Sequence, residues 1–183
     1  MRNDGTACLN EKLQMRKAQI KLRAMEPEDL DVLYQIENDS SVWNVGVTNV
    51  PYSRYVLRDY IAQARNDIYM DGQVRLMIED EEGGVVGIAD IVNFNPQHQR
   101  AEVSIVITAD HRHQGYAATA MAELSQYALR VLHLHQLYAV VDADNKAALS
   151  LFLSAGFHES SRLEQWLFDG RAYHDAVLFS CIL

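Results

Sequence analysis

The sequence predicts a mixed α/β (α+β) fold, one central sheet of about seven strands flanked by about four helices. Three observations predict it. Apolar–polar alternation recurs, as at Gln19–Ala24, where Ile20, Leu22 and Ala24 face opposite to Gln19, Lys21 and Arg23. Two turn signals, Asp80-Glu81-Glu82-Gly83-Gly84 and Asp169-Gly170, close hairpins. Between strands, Ala117, Met121, Leu124, Ala128 and Val131 repeat in steps of four and three, which is the apolar stripe of a helix.

The elements follow in order. Residues 1–18 are polar with scattered Leu9, Leu13 and Met15, and are read as a tail or short helix ahead of a single domain over 19–183. After the first strand, Glu26-Pro27-Glu28-Asp29 opens a helix, with proline in the first turn and carboxylates at the positive end of the dipole. Leu30, Leu33, Tyr34 and Glu37 keep helical spacing. An irregular loop occupies 42–52, and Ser53 caps a second helix to about Asp67. Strands at Val74–Glu79, Val85–Asn93 and Ala101–Thr108 form a meander. A tight turn then leads into a helix near Gly115, a strand at His135–Val141, a helix at Asn145–Ala155, and two closing strands from Phe157.

The chain has 183 residues, 49 % apolar and 22 % charged, the profile of an ordinary soluble globular domain. Its 25 acidic against 16 basic residues give a net charge of −9. That excludes a general nucleic-acid binder and suits a cationic partner. No apolar run approaches the ~20 residues that span a membrane, and Met1–Thr6 carries no apolar signal core. Cys8 and Cys181 match neither a metal spacing nor a disulfide framework. A cytoplasmic protein is expected.

The most informative segment is Ala109-Asp110-His111-Arg112-His113-Gln114-Gly115-Tyr116-Ala117-Ala118, between a strand and a helix. A helix N-terminus presents unpaired N–H groups and a positive dipole end, so it binds phosphate. Gly115 lets the backbone approach the ligand, Ala117 keeps the next turn small, and Arg112 supplies a charged donor. The segment is neither a Walker loop nor a Gly-x-Gly-x-x-Gly signature.

The spacing Arg112-x-x-Gly115-x-Ala117 resembles the acetyl-CoA pyrophosphate motif of the GNAT superfamily. The element order resembles that superfamily too, as does Asn145 followed by Leu151-Phe152-Leu153-Ser154-Ala155-Gly156-Phe157. Glu164–Asp175 is similar to the closing hairpin of the ribosomal-protein and polyamine acetyltransferase branches. Gln99-Arg100-Ala101-Glu102, Ile105-Val106-Ile107 and Leu137-Tyr138 look like the spermidine and polyamine branch. The resemblance implies a GNAT fold and an acetyl-CoA-dependent N-acetyltransferase acting on a primary amine: a polyamine, another small amine, or a protein N-terminus. The alternative is an acetyl-CoA-binding module with little catalysis. By the same resemblance Ile105, Val106 and Ile107 contact the acetyl and pantetheine groups. Arg112, His113, Gln114, Gly115, Tyr116, Ala117 and Ala118 wrap the pyrophosphate, Asn145 lies beside the cofactor's arm or holds its helix, and the protein forms a homo-oligomer.

Acetyl transfer to an amine needs a base, an oxyanion donor and a proton for the leaving thiolate. Two parting parallel strands expose a backbone N–H, expected from Val106 or Ile107. Glu102 is the first candidate base, with Asp90 and Glu37 as further carboxylates that hold a cationic amine. The cofactor-side position matching the family's proton-donating tyrosine holds Phe152, so water or a hydroxyl of Ser150, Ser154 or Tyr138 serves, the thiolate leaves without help, or catalysis is weak. Where the polyamine enzymes carry two adjacent glutamates, this chain reads Val47-Thr48-Asn49-Val50. His111, His113, His133 and His135 have no metal-binding spacing, and no metal is expected. Trp43, Tyr52, Trp166 and Tyr173 are expected in the core or at a contact between copies, ahead of a substrate slot.

Overall fold

A computed structural model describes residues 18–39, 50–65 and 67–183. The tail at 1–17, Trp43 and the Val47–Asn49 segment therefore lie outside the described residues. Strand β1 spans Ile20–Arg23, and a 3-10 turn at Pro27–Asp29 runs into helix α1, Leu30–Glu37. Asp29 closes this start by accepting a hydrogen bond from the Glu26 N–H at 2.8 Å, and Arg23 grips its carboxylate at 2.7 and 2.8 Å. Burial of Asp29 opposes its charge, but the Arg23 hydrogen bonds dominate and hold its pKa below the usual carboxylate value.

Helix α2 spans Arg54–Gln63, and Ser53 caps it as expected by accepting from the Val56 N–H at 3.2 Å. It ends four residues earlier than the sequence suggests. Asp67 turns its side chain onto the Tyr69 N–H at 2.9 Å and starts a separate short helix, α3 at Ile68–Asp71, which stops on left-handed Gly72. The remaining elements are β2 (Val74–Asp80), β3 (Val85–Asn95), β4 (Arg100–Ile107), α4 (Tyr116–Arg130), β5 (Gln136–Asp142), α5 (Lys146–Ser154), β6 (His158–Phe168) and β7 (Tyr173–Ile182). Met121, Leu124 and Ala128 of α4 are buried along with Ala120, whereas Val131 lies past the helix end and is 58 % exposed.

The seven strands form one sheet in the order β1-β2-β3-β4-β5-β7-β6. Every neighbour is antiparallel except β4 and β5, which run parallel and pair only at Arg100↔Gln136, Ala101↔Leu137 and Glu102↔Tyr138. One face buries Ile91, Val103, Leu137 and Phe179 with Met121 and Leu124 of α4 and Phe152 of α5. The other places Met77 and Ile88 under Leu33, Ile36, Leu57 and Ile61 of α1 and α2. Burying both faces is what a sheet with helices on each side requires. At Gly87 the β3 and β4 backbones come so close that a Cβ would sit 2.2 Å from the Val106 carbonyl oxygen. Among the described residues no helix is long and apolar enough to cross a membrane.

Candidate active site

The site begins where β4 and β5 stop pairing. Both strands continue past Glu102↔Tyr138 with no further rung between them, so β4 from Val103 to Ile107 borders an open fork. The fork's donors follow from parity. The Thr108 N–H bonds the Val86 carbonyl at 2.9 Å, and the register from Gly87↔Ile107 to Val92↔Glu102 is uninterrupted. Alternation in an antiparallel ladder then turns the N–H groups of Val106 and Ser104 toward β3, and those of Ile105 and Ile107 toward the fork. Of the two donors expected from sequence, Ile107 faces the fork and Val106 does not; Ile105 joins it.

At the mouth of the fork stands the start of α4. Gly115 is its N-cap at φ 89, no side chain caps it, and the first-turn N–H groups of Tyr116, Ala117 and Ala118 have no helical partner. His113 also takes a left-handed φ of 62 and is exposed. Gln114 donates to the Asp110 carbonyl at 2.9 Å, and His111 shares a 2.7 Å hydrogen bond with Thr108. Arg112 leans back over the fork: its Nε donates to the Ile107 carbonyl at 3.0 Å, and its Nη2 lies 3.8 Å from Asp39. A bare helix start beside a charged guanidinium is an anion site.

On the sheet face covered by α1 and α2, Arg75 of β2 joins two of the three expected carboxylates. It holds Asp90 through two hydrogen bonds, at 2.8 and 2.9 Å, and also bonds Glu37. Two carboxylates on one guanidinium leave the group at a net −1. Burial disfavours the Arg75 charge, yet Asp90 first and Glu37 after it outweigh that and keep its pKa above the usual value. The Ser104 hydroxyl lies 3.5 Å from Asp90, which brings the cluster to the fork. Beside it a cavity of about 200 Å³ opens between α2, α3 and β2, lined by Tyr60, Gln63, Asp71, Gln73 and Arg75. Glu102 is on the same face, half-buried, and accepts from the Asn93 amide at 2.8 Å. Arg75, Tyr60 and Asn93 were not singled out from sequence.

The expected helix positions behave differently. Asn145 caps α5 by accepting from the Ala148 N–H at 3.1 Å. Phe152 is buried, stacked on Phe179 at 5.6 Å and edge-on to Phe157 at 5.1 Å. The Ser154 hydroxyl donates to the Leu151 carbonyl at 2.8 Å, and Ser150 is exposed. On the β6–β7 hairpin, Trp166 and Tyr173 are 62 % and 65 % exposed, which removes them from the core. His174 there bonds Asp169 at 3.0 Å and faces Asp142 and Asp144, a three-residue group whose ligand atoms lie within 4.8 Å of one another.

Comparison with known proteins agrees with this geometry. The model of the acetyltransferase (GNAT) domain matches residues 19–158. The spermidine N(1)-acetyltransferase of Vibrio cholerae serotype O1 is 27 % identical over 159 residues, covering 86 % of this chain and 90 % of that protein. The enzyme of the same name from Escherichia coli strain K12 is 29 % identical over 162 residues, covering 86 % and 83 %. The crystal structure of the Vibrio cholerae spermidine N-acetyltransferase in complex with CoA and spermine superposes with a TM-score of 0.81 at 26 % identity, covering 90 % of this chain and 95 % of that one.

Proposed function

Because the chain belongs to the GNAT acetyltransferase family, and so moves an acetyl group from acetyl-CoA to an amine, we propose that its acceptor is a small polycationic amine of the polyamine kind. The observation that carries this is the acidic floor beside the fork: Glu37 and Asp90 share one guanidinium, Glu102 adds a further carboxylate, and Asp71 lines the adjoining cavity. Such a floor attracts a chain of ammonium groups and repels anionic acceptors. Spermidine acetyltransferases being the named relatives supports the same choice.

The chain's own groups divide the work. The first-turn N–H groups of α4, Gly115 and Arg112 hold the diphosphate of acetyl-CoA, Arg112 once its side chain leaves the Ile107 carbonyl. Ile105 and Ile107 point backbone N–H groups into the fork, where the thioester oxygen becomes negative. The amine nitrogen attacks the thioester carbon, a C–N bond forms, the C–S bond breaks with its electron pair on sulfur, and Glu102 takes the amine proton. Phe152 has no proton to give, so the thiolate leaves as an anion and is protonated from solvent. With a thiol pKa of about 8.5 that departure is only mildly uphill near neutral pH. The setting is cytoplasmic, and the exposed Trp166, Phe168 and Tyr173 of the outer hairpin support assembly between copies.

Incubation with acetyl-CoA and a panel of spermidine, spermine, short monoamines and peptides, followed by thiol release, tests this. Turnover of polyamines above monoamines is expected. Turnover of peptides alone would move the acceptor class to protein N-termini. Thermal stabilisation by acetyl-CoA with no thiol release from any amine would make the protein a binding module.

A further inference from the structure

We propose that Asn93 is the positioning residue of Glu102, aimed across the sheet by a break in β3 so that its amide holds the carboxylate in place and turned toward the acceptor. The proposal rests on Glu102 being the base.

In an unbroken strand Asn93 would follow Ile91 onto the face opposite Glu102, since successive side chains alternate. It does not. The β3–β4 register runs evenly to Val92↔Glu102 and shifts before Asn95↔Arg100, and Asn93 occupies this bulge at φ 51. Asparagine is one of the few residues that take the left-handed region readily. Bulges re-aim side chains beside active sites, and here the outcome is the 2.8 Å hydrogen bond from Asn93 Nδ2 to Glu102 Oε2. From the other side Tyr138 faces Glu102 across the last rung before the fork. Burial first, and the Glu102 charge after it, hold the Tyr138 hydroxyl above its usual pKa, so it stays protonated at neutral pH. Glu102 is thus fixed between β3 and β5 at the point where the fork opens.

The chemistry is that of an oriented base. The Asn93 amide N–H occupies one carboxylate oxygen, Oε2, and leaves Oε1 for the amine proton.

Full-length Asn93→Gly, Glu102→Gln and the double variant test the proposal, with kcat and KM measured separately from thiol release by acetyl-CoA and spermidine. Glycine accepts the left-handed backbone, so Asn93→Gly keeps the bulge and removes only the amide. The kcat with spermidine is expected to fall about 10-fold, because a misdirected base loses its approach to the amine proton. The melting temperature and the KM for acetyl-CoA should stay unchanged. In the Glu102→Gln background the Asn93→Gly effect should vanish, because the two act as one unit. Asn93→Asp keeps the left-handed tolerance but cannot donate to Glu102, so it should lower kcat at least as far and gives the same readout if the glycine variant fails to fold. A kcat unchanged in Asn93→Gly while Glu102→Gln is slow overturns the positioning role alone, as does an equal loss in both backgrounds. Glu102→Gln turning over spermidine as fast as the parent overturns the base assignment beneath it.

Discussion

Arg75 grips Asp90 through two near-parallel hydrogen bonds, Nε to Oδ1 at 2.8 Å and Nη2 to Oδ2 at 2.9 Å, while its Nη1 reaches Glu37. The side chains of all three residues are less than one-fifth exposed. Arg75→Met strands two carboxylates facing each other, and should cost about 3–5 kcal/mol in denaturant-induced unfolding. Arg75→Lys keeps the charge but loses the fork, and should fall between the two. A methionine variant as stable as the parent would show that the cluster does not hold α1 to the sheet.

Acetyl-CoA binding should depend on the α4 start. Arg112→Glu places a negative charge beside the bare helix N-terminus and should abolish the rise in melting temperature that acetyl-CoA produces. Retained binding would displace the diphosphate from this turn. Gly115→Ala meets no atom within 4 Å but must hold φ 89, so it should cost about 1–2 kcal/mol of stability through the backbone alone.

The outer hairpin should respond to pH through His174 and Asp169. The Asp169 hydrogen bond, with the charges of Asp169, Asp142 and Asp144, raises the His174 pKa above 6.5. Its stabilisation is therefore complete below pH 6.5 and is lost as pH rises through the folded value. Hydrogen bonds from the Ala172 and Arg171 N–H groups, followed by the one from His174, lower the Asp169 pKa from 3.8 to about 2. That contribution is present above pH 3.8 and disappears as pH falls through about 2. Melting temperature against pH should decline on the alkaline side, and His174→Gln should flatten that decline. An unchanged alkaline slope in the variant would refute the role of His174.

Gly87→Ala should be among the most damaging single changes in the sheet. Its Cβ would meet the Val106 carbonyl oxygen at 2.2 Å and the Ile107 Cα at 3.1 Å, both backbone atoms that cannot swing aside. A cost of at least about 1–3 kcal/mol is expected from overpacking. Because the clash falls on the β4 segment that borders the fork, acetyl-CoA affinity should drop with stability. A soluble variant that binds acetyl-CoA normally would contradict this.

Much of the architecture was legible because periodicity and turn chemistry report it directly. The alternation at Ile20–Ala24, the Asp169-Gly170 turn and the α4 stripe all became the elements they suggested. The acidic cluster was not legible, for a register reason. Counting outward from Glu79↔Val85 pairs Arg75 with Ala89; a bulge between Ile78 and Glu79 slides the strands by one and brings Arg75 opposite Asp90. The Asn93–Glu102 contact was hidden in the same way, by a bulge that places a side chain on the face alternation denies it. The choice between Val106 and Ile107 as donors needed only parity, but parity needs a known partner strand. Phe152 was placed by spacing, whereas its stacking on Phe179 depends on packing between α5 and β7.

The parted strands have a consequence for how the molecule moves and melts. Among the described residues three rungs, from Arg100↔Gln136 to Glu102↔Tyr138, join β1–β4 to β5–β7–β6 through the sheet. On the proposed reading, a pantetheine arm lying in the fork and accepting from Ile105 and Ile107 would fill the place of a missing strand. Donor occupancy and hinge stiffness then become one quantity, and amide exchange at those two residues reads both.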